Sequence, residues 1–157
     1  MSSKRGWDFL GLIHFGLFMI VLGLLFVIYP NLFDSLKEFF LDFEMVEISD
    51  NFFLPIVRGS HPEVYGSLLT LAIAMLLIEV LILVARFLIR DMVRRKADSI
   101  SGIVFWVGIS LLANQLKEGI VGFPAVYSLF AIVAGASIVS AGMSIILART
   151  VEDRKGK

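Results

Sequence analysis

Apolar positions run along the chain in four long blocks, Trp7 to Tyr29, Tyr65 to about Ile89, Ile100 to about Leu116 and Pro124 to Ala148. Charge returns in the segments between them. Each block approaches the roughly 20 residues a helix needs to cross a hydrocarbon core. The third is the shortest unless it continues past Lys117 and Glu118 towards Val121. The pattern predicts four transmembrane helices, about 7–29, 65–89, 100–116 and 124–148, in one membrane domain covering 1–157. The outer loop is expected at 30–64 and a basic loop at 90–99.

The first loop has its own period. In "NLFDSLKEFFLDFEM" the residues Leu32, Phe33, Leu36, Phe39, Phe40 and Phe43 fall on one side at helical spacing, with Asp34, Lys37, Glu38 and Asp42 mostly between them. This predicts an amphipathic helix. It either lies on the outer membrane face or caps the outer mouth of the bundle. The rest of the loop holds Pro55, Gly59 and Pro62 and reads as an irregular connector with at most a short extended piece. "RDMVRRKADS", after the second span, reads as a continuation of that helix beyond the membrane. The expected fold class is therefore an all-α integral membrane protein, a four-helix bundle with an amphipathic helix on its outer face.

Composition strengthens this picture. Of 157 residues, 58% are hydrophobic and 18% charged, with mean hydropathy +0.89, against about 45–50% and 25% in globular chains. So small a soluble domain has too little interior for that much apolar surface. The first block is too long for a signal-peptide core, and the bulky "FVIYPNLF" offers no small-residue cleavage site. It reads as a retained helix.

Net charge is zero, which gives no reason to expect a nucleic-acid partner, but its distribution sets an orientation. Cations gather at Lys4 and Arg5, at Arg86, Arg90, Arg94, Arg95 and Lys96, and at Arg149, Arg154, Lys155 and Lys157. The other side holds Lys37 and Arg58, among the acids of the first loop, and Lys117. The positive-inside bias places both termini in the cytoplasm of a multi-pass cell-membrane protein. Arg90, Arg94, Arg95 and Lys96 then serve as topology determinants or bind anionic lipid headgroups.

Several polar residues interrupt the spans. Glu79 lies in the apolar run "AIAMLLIEVLILVARFLIR". An intramembrane carboxylate costs roughly 2.5–3.5 kcal/mol or more and usually faces inward towards a partner. Arg86 and Arg90 stand seven and eleven residues later, on the same helical face, so the three form one polar stripe. At 1.5 Å per residue, Glu79 sits about 10 Å from the inner end of its helix, and His14 reaches a similar depth in the first span. His14 and Glu79 are expected to meet. They form either a structural pair that fixes helix register or a proton or ligand site. Asn114, Gln115 and Lys117 form a second, outer cluster, readable as an interfacial helix end with a snorkelling lysine. In the last span Ala134, Ser137, Ala141 and Ser144 form a small-residue stripe for close packing, within the monomer or across an oligomer seam.

There is no cysteine, so disulfides and thiol chemistry are excluded. His14 and His61 are far apart, which gives no metal-ligand spacing. G-x-S-x-G, H-E-x-x-H and P-loop signatures are missing. No enzyme activity, cofactor or metal is expected.

Two segments carry a family likeness. "IEVLILVARFL", Ile78 to Leu88, followed by "FWVGISLLANQL", Phe105 to Leu116, resembles the phosphate-starvation-inducible E (PsiE) family of small four-helix membrane proteins. The matching features are Glu79 with Arg86 seven residues on, and the aromatic-x-Gly-Ile-Ser segment Trp106 to Ser110. The likeness covers about Tyr65 to Ala148. The family usually has an arginine near the position of Asn114, and the outer loop here is longer than the family's. The resemblance implies a fold and a link to stress response, and no reaction. Three function classes follow: a structural or regulatory membrane protein, oligomeric; a small transporter or channel using His14 and Glu79; and an accessory subunit of a larger membrane complex.

Overall fold

A computed structural model describes residues 9–49 and 52–155. The expected start of the first span at Trp7, and the cations Lys4, Arg5 and Lys157, lie outside them. Five helices and one hairpin follow in order: α1 (Phe9–Ile28), α2 (Leu32–Leu41), β1 (Phe43–Ser49), β2 (Phe52–Val57), α3 (Pro62–Leu88), α4 (Val93–Lys117) and α5 (Phe123–Lys155). The helices α1, α3, α4 and α5 are each long and apolar enough to cross a membrane. The chain is a multi-pass helical membrane protein.

The expectation of an all-α fold is corrected by the hairpin. β1 pairs antiparallel with β2, with Phe43 opposite Val57 and Glu47 opposite Phe53. Phe43, expected on the amphipathic helix, opens β1 instead. The β-branched and aromatic residues of both runs favour a pleated surface. Pro55 is tolerated because each strand of a two-stranded ribbon has a free edge.

α2 itself forms as an amphipathic helix, with its apolar residues divided between two directions. Leu32 is buried and Leu36 and Phe39 are half-buried, whereas Phe33 and Phe40 are exposed. α3 begins with Pro62 at its first turn, where a missing N–H costs nothing, and Glu63 beside it suits the positive helix end.

The expected continuation of α3 through a basic loop is also corrected. α3 stops at Leu88, and most of 90–99 forms the first turns of α4. The stop is a Schellman motif: the Asp91 N–H donates to the Arg86 carbonyl at 2.9 Å and the Arg90 N–H to that of Phe87 at 3.2 Å. Arg90 takes φ 54°, a left-handed conformation unusual for a side chain with Cβ. Arg90 is therefore off the helix, and the polar stripe expected from Glu79 ends at Arg86. α4 ends the same way with the residue the motif prefers, Gly119 at φ 67°.

The spanning helices pack in a row: α1 on α3, α3 on α4, and α4 on α5. Among the described residues α1 and α5 share no extended interface. A buried cluster of Met75, Ile78 and Ile82 on α3 takes Leu17, Phe18 and Val21 from α1 and Trp106 from α4. On the other side of α4, Gly108 lies where a Cβ would come within 2.5 Å of Val133 on α5. The Trp106–Ser110 segment thus allows close helix approach. Gly16 and Gly23 of α1 face open space and make no such approach within the chain.

Candidate intramembrane polar site

His14 and Glu79 come together between α1 and α3. His14 Nε2 lies 3.3 Å from Glu79 Oε1, with side-chain exposures of 31% and 10%. The distance suits an ion pair, while the angles do not meet those of a hydrogen bond, so Nε2 is held beside the carboxylate without a formal bond. Two groups from α4 complete the site. The Ser99 hydroxyl, buried, hydrogen-bonds the Glu79 carboxylate. Gly102, one turn on, leaves the space the carboxyl occupies: a Cβ there would stand 2.6 Å from Oε1. Ser99 stands just ahead of the span expected from about residue 100, and Gly102, inside that span, carries no polar group to mark it. Serine and glycine are also common on membrane helices for packing alone.

Arg86 is buried and reaches α4 by another route: its guanidinium donates to the Arg95 carbonyl. That bond fastens the α3–α4 turn. Arg95 in turn pairs with Asp91 at 3.2 Å, and Lys96 Nζ stands 4.7 Å over the Phe87 ring. Arg90 and Arg94 are exposed. The four cations expected to meet headgroups are thus divided, with two engaged inside the fold and two facing outward.

The expected outer cluster is not assembled. Asn114 and Lys117 are exposed, Gln115 is half-buried, and among the described residues no side-chain bond joins them. A different polar cluster stands at this end. Asp42 Oδ2 accepts from the Gly59 N–H and from His61 Nε2 at 3.0 Å, tying the base of the hairpin to the start of α3. These two donors, His61 first, hold the Asp42 carboxyl below its ordinary value. Tyr29 Oη meets Thr70 Oγ1 at 3.0 Å, a second polar link between the end of α1 and α3.

The small-residue stripe faces α4. Ser137 is buried, Ala134, Ala141 and Ser144 are half-buried, and Ser101 on α4 donates to the Ser137 carbonyl at 2.8 Å. The hydroxyls of Ser137, Ser140 and Ser144 bond back to carbonyls of their own helix. They are satisfied without a partner helix.

Compared with protein-family models, curated proteins and solved structures, the chain matches none.

Proposed function

We propose that this chain is a small, non-enzymatic regulatory protein of the cell membrane, a four-helix bundle with both termini in the cytoplasm, in which the His14–Glu79 pair governs how firmly α1 is held. The carrying observation is the 3.3 Å approach of His14 Nε2 to Glu79 Oε1 beside the apolar cluster that joins α1 to α3. Apolar contact barely distinguishes a helix neighbour from a lipid tail, so polar links weigh heavily in helix association. α1 rests mainly on α3, with polar links of the His14–Glu79 and Tyr29–Thr70 kind. Protonation changes the pair: with one proton between them an imidazolium attracts the carboxylate. A second proton leaves an imidazolium beside a neutral acid, and loss of the proton leaves a carboxylate beside a neutral ring, each a weaker contact.

The PsiE family is the family we propose, which attaches the protein to a stress response. Self-association and anionic lipid at Arg90 and Arg94 belong to the same proposal.

The test uses spin labels at Leu24 on α1 and Val107 on α4, both exposed, in vesicles between pH 5 and 9. The α1–α4 distance is expected to change with pH in the wild type and to lose that dependence in Glu79→Gln. Identical distributions at every pH would remove the regulatory reading. A Glu79-dependent proton flux in the same vesicles would favour the transporter or channel class. Recovery of a stoichiometric membrane partner would favour the accessory subunit.

A further inference from the structure

The row of helices leaves a gap on the hairpin side of α4. α3 and α5 flank α4 there, and α2 with the start of β1 lies across the top. The gap is an apolar cleft of about 560 Å³, partly open to the surroundings. Its floor is the α4 stripe Phe105, Ile109, Leu112 and Leu116. Leu68 of α3 and Phe130 of α5 stand on its two sides. At the hairpin end lies a smaller chamber of about 230 Å³ that shares Tyr65 and Leu116 with it as lining residues. That chamber is mixed in character: Arg58, Ser60 and the glycine-bearing turn at Gly119 and Gly122 line it together with Val57 and Val121.

Three features define the occupant. The cleft walls offer almost no polar surface, so a polar ligand is excluded from it. From Phe105 to Leu116 the floor rises about 16 Å at 1.5 Å per residue, close to half of a hydrocarbon core about 30 Å thick. That is the depth of one leaflet, and hence the reach of one acyl chain. The three helices that bound the cleft are themselves long and apolar enough to span a membrane, so the cleft lies among segments for which lipid is the solvent. The volume falls within the roughly 300–1,000 Å³ of small-molecule sites.

We infer that this cleft is a lipid-binding site: it takes one acyl chain of a glycerophospholipid from the hairpin-side leaflet, with the phosphate at the Arg58 chamber. Arg58 is exposed and paired with Glu44 at 2.9 Å, so it is placed to share its guanidinium with an incoming phosphate. The Tyr127 hydroxyl donates to the Pro55 carbonyl and fastens the hairpin to α5 beside the cleft mouth.

Trp106 lines the inner part of the cleft and supplies the probe. In a Trp7→Phe background it is the single tryptophan, since the chain has two. The full-length protein in detergent micelles is titrated with phosphatidylcholine brominated in mid-chain. Saturable quenching of Trp106 is expected at one lipid per chain, together with a single phospholipid adduct in native mass spectrometry. Leu68→Phe and Val126→Phe, which fill the cleft from opposite sides, should each reduce the adduct by more than half while helix content by circular dichroism stays unchanged. Should either variant misfold, the other decides. Arg58→Gln should weaken retention by roughly two- to fivefold, the range of an exposed ion pair. Quenching without saturation, an adduct that persists in both filled variants, or retention of oleate with no phosphatidylcholine would each overturn the assignment. So would a dimer that carries no lipid.

Discussion

Glu79 shows how far one side chain depends on its neighbours' lack of bulk. Its carboxylate fits because Gly102 has no Cβ, and it is oriented by Ser99 and His14 from two different helices. Gly102→Ala is expected to destabilise the protein by about 1–3 kcal/mol, the usual cost of overpacking. Adding Glu79→Asp, which withdraws the carboxyl, should recover part of that loss in thermal unfolding in detergent. No recovery would mean that the alanine methyl clashes elsewhere. Arg90 offers a gain instead. It holds the left-handed position that Gly119 holds in α4. Glycine there avoids a strain of about 1–2 kcal/mol, offset in part by its greater unfolded-state entropy. Arg90→Gly should therefore stabilise by up to about 1 kcal/mol, seen as a higher unfolding midpoint. A lower midpoint would show that the Arg90 side chain contributes more than its backbone costs.

Among the elements, the hairpin is the most conditional. It is joined to the helices through Asp42 at its base and through the Tyr127–Pro55 bond at its side. The folded Asp42 carboxyl lies below its ordinary value. Its contribution is therefore complete above the unfolded value of about 3.9 and is lost as pH falls through the lower folded value. Below about pH 4, hydrogen exchange across 43–57 should accelerate ahead of exchange in α3 and α4. Asp42→Asn should show the faster exchange already at neutral pH, with the acid step removed. A wild-type hairpin whose protection is flat from pH 6 to 3 would contradict this. The α4–α5 contact is conditional in a different way. Val133 fills the space beside Gly108, so Gly108→Ala should separate the two helices, and Val133→Ala should restore their approach.

At the scale of the whole molecule, the row of spans leaves α1 at one edge and α5 at the other. Apolar residues on their outward faces, Phe15 and Ile20 on α1, Ile138 and Met143 on α5, are exposed. In a bilayer that is the ordinary state of a lipid-facing helix. Orientation is tested with single cysteines, against a background of none. Ser49→Cys in the hairpin should react with an impermeant maleimide on intact cells. Arg94→Cys, at an exposed position, should react only after permeabilisation. The opposite labelling would reverse the proposed topology.

The sequence by itself determined the number and rough limits of the spans, because their cause is local. A helix crosses hydrocarbon only if it is long and apolar enough and satisfies its own backbone. It also singled out Glu79, whose cost can be read from its immediate neighbours. Rise-per-residue arithmetic put His14 at the same depth, which is the geometry the two side chains adopt. The hairpin was half visible: Asp50 and Asn51 are turn formers between β-branched and aromatic runs, but Pro55 and the acids concealed the alternation. Arg90 gave no sign of its left-handed backbone, because the signal for that position is glycine. What the tertiary structure alone decided was partnership across distance. It set Ser99 and Gly102 against Glu79, Tyr127 against Pro55, the small-residue stripe against α4, and the gap between α3 and α5. Periodicity shows which face of a helix is apolar. Which neighbour that face meets depends on the order and spacing of packed helices, and no short window of sequence carries that information.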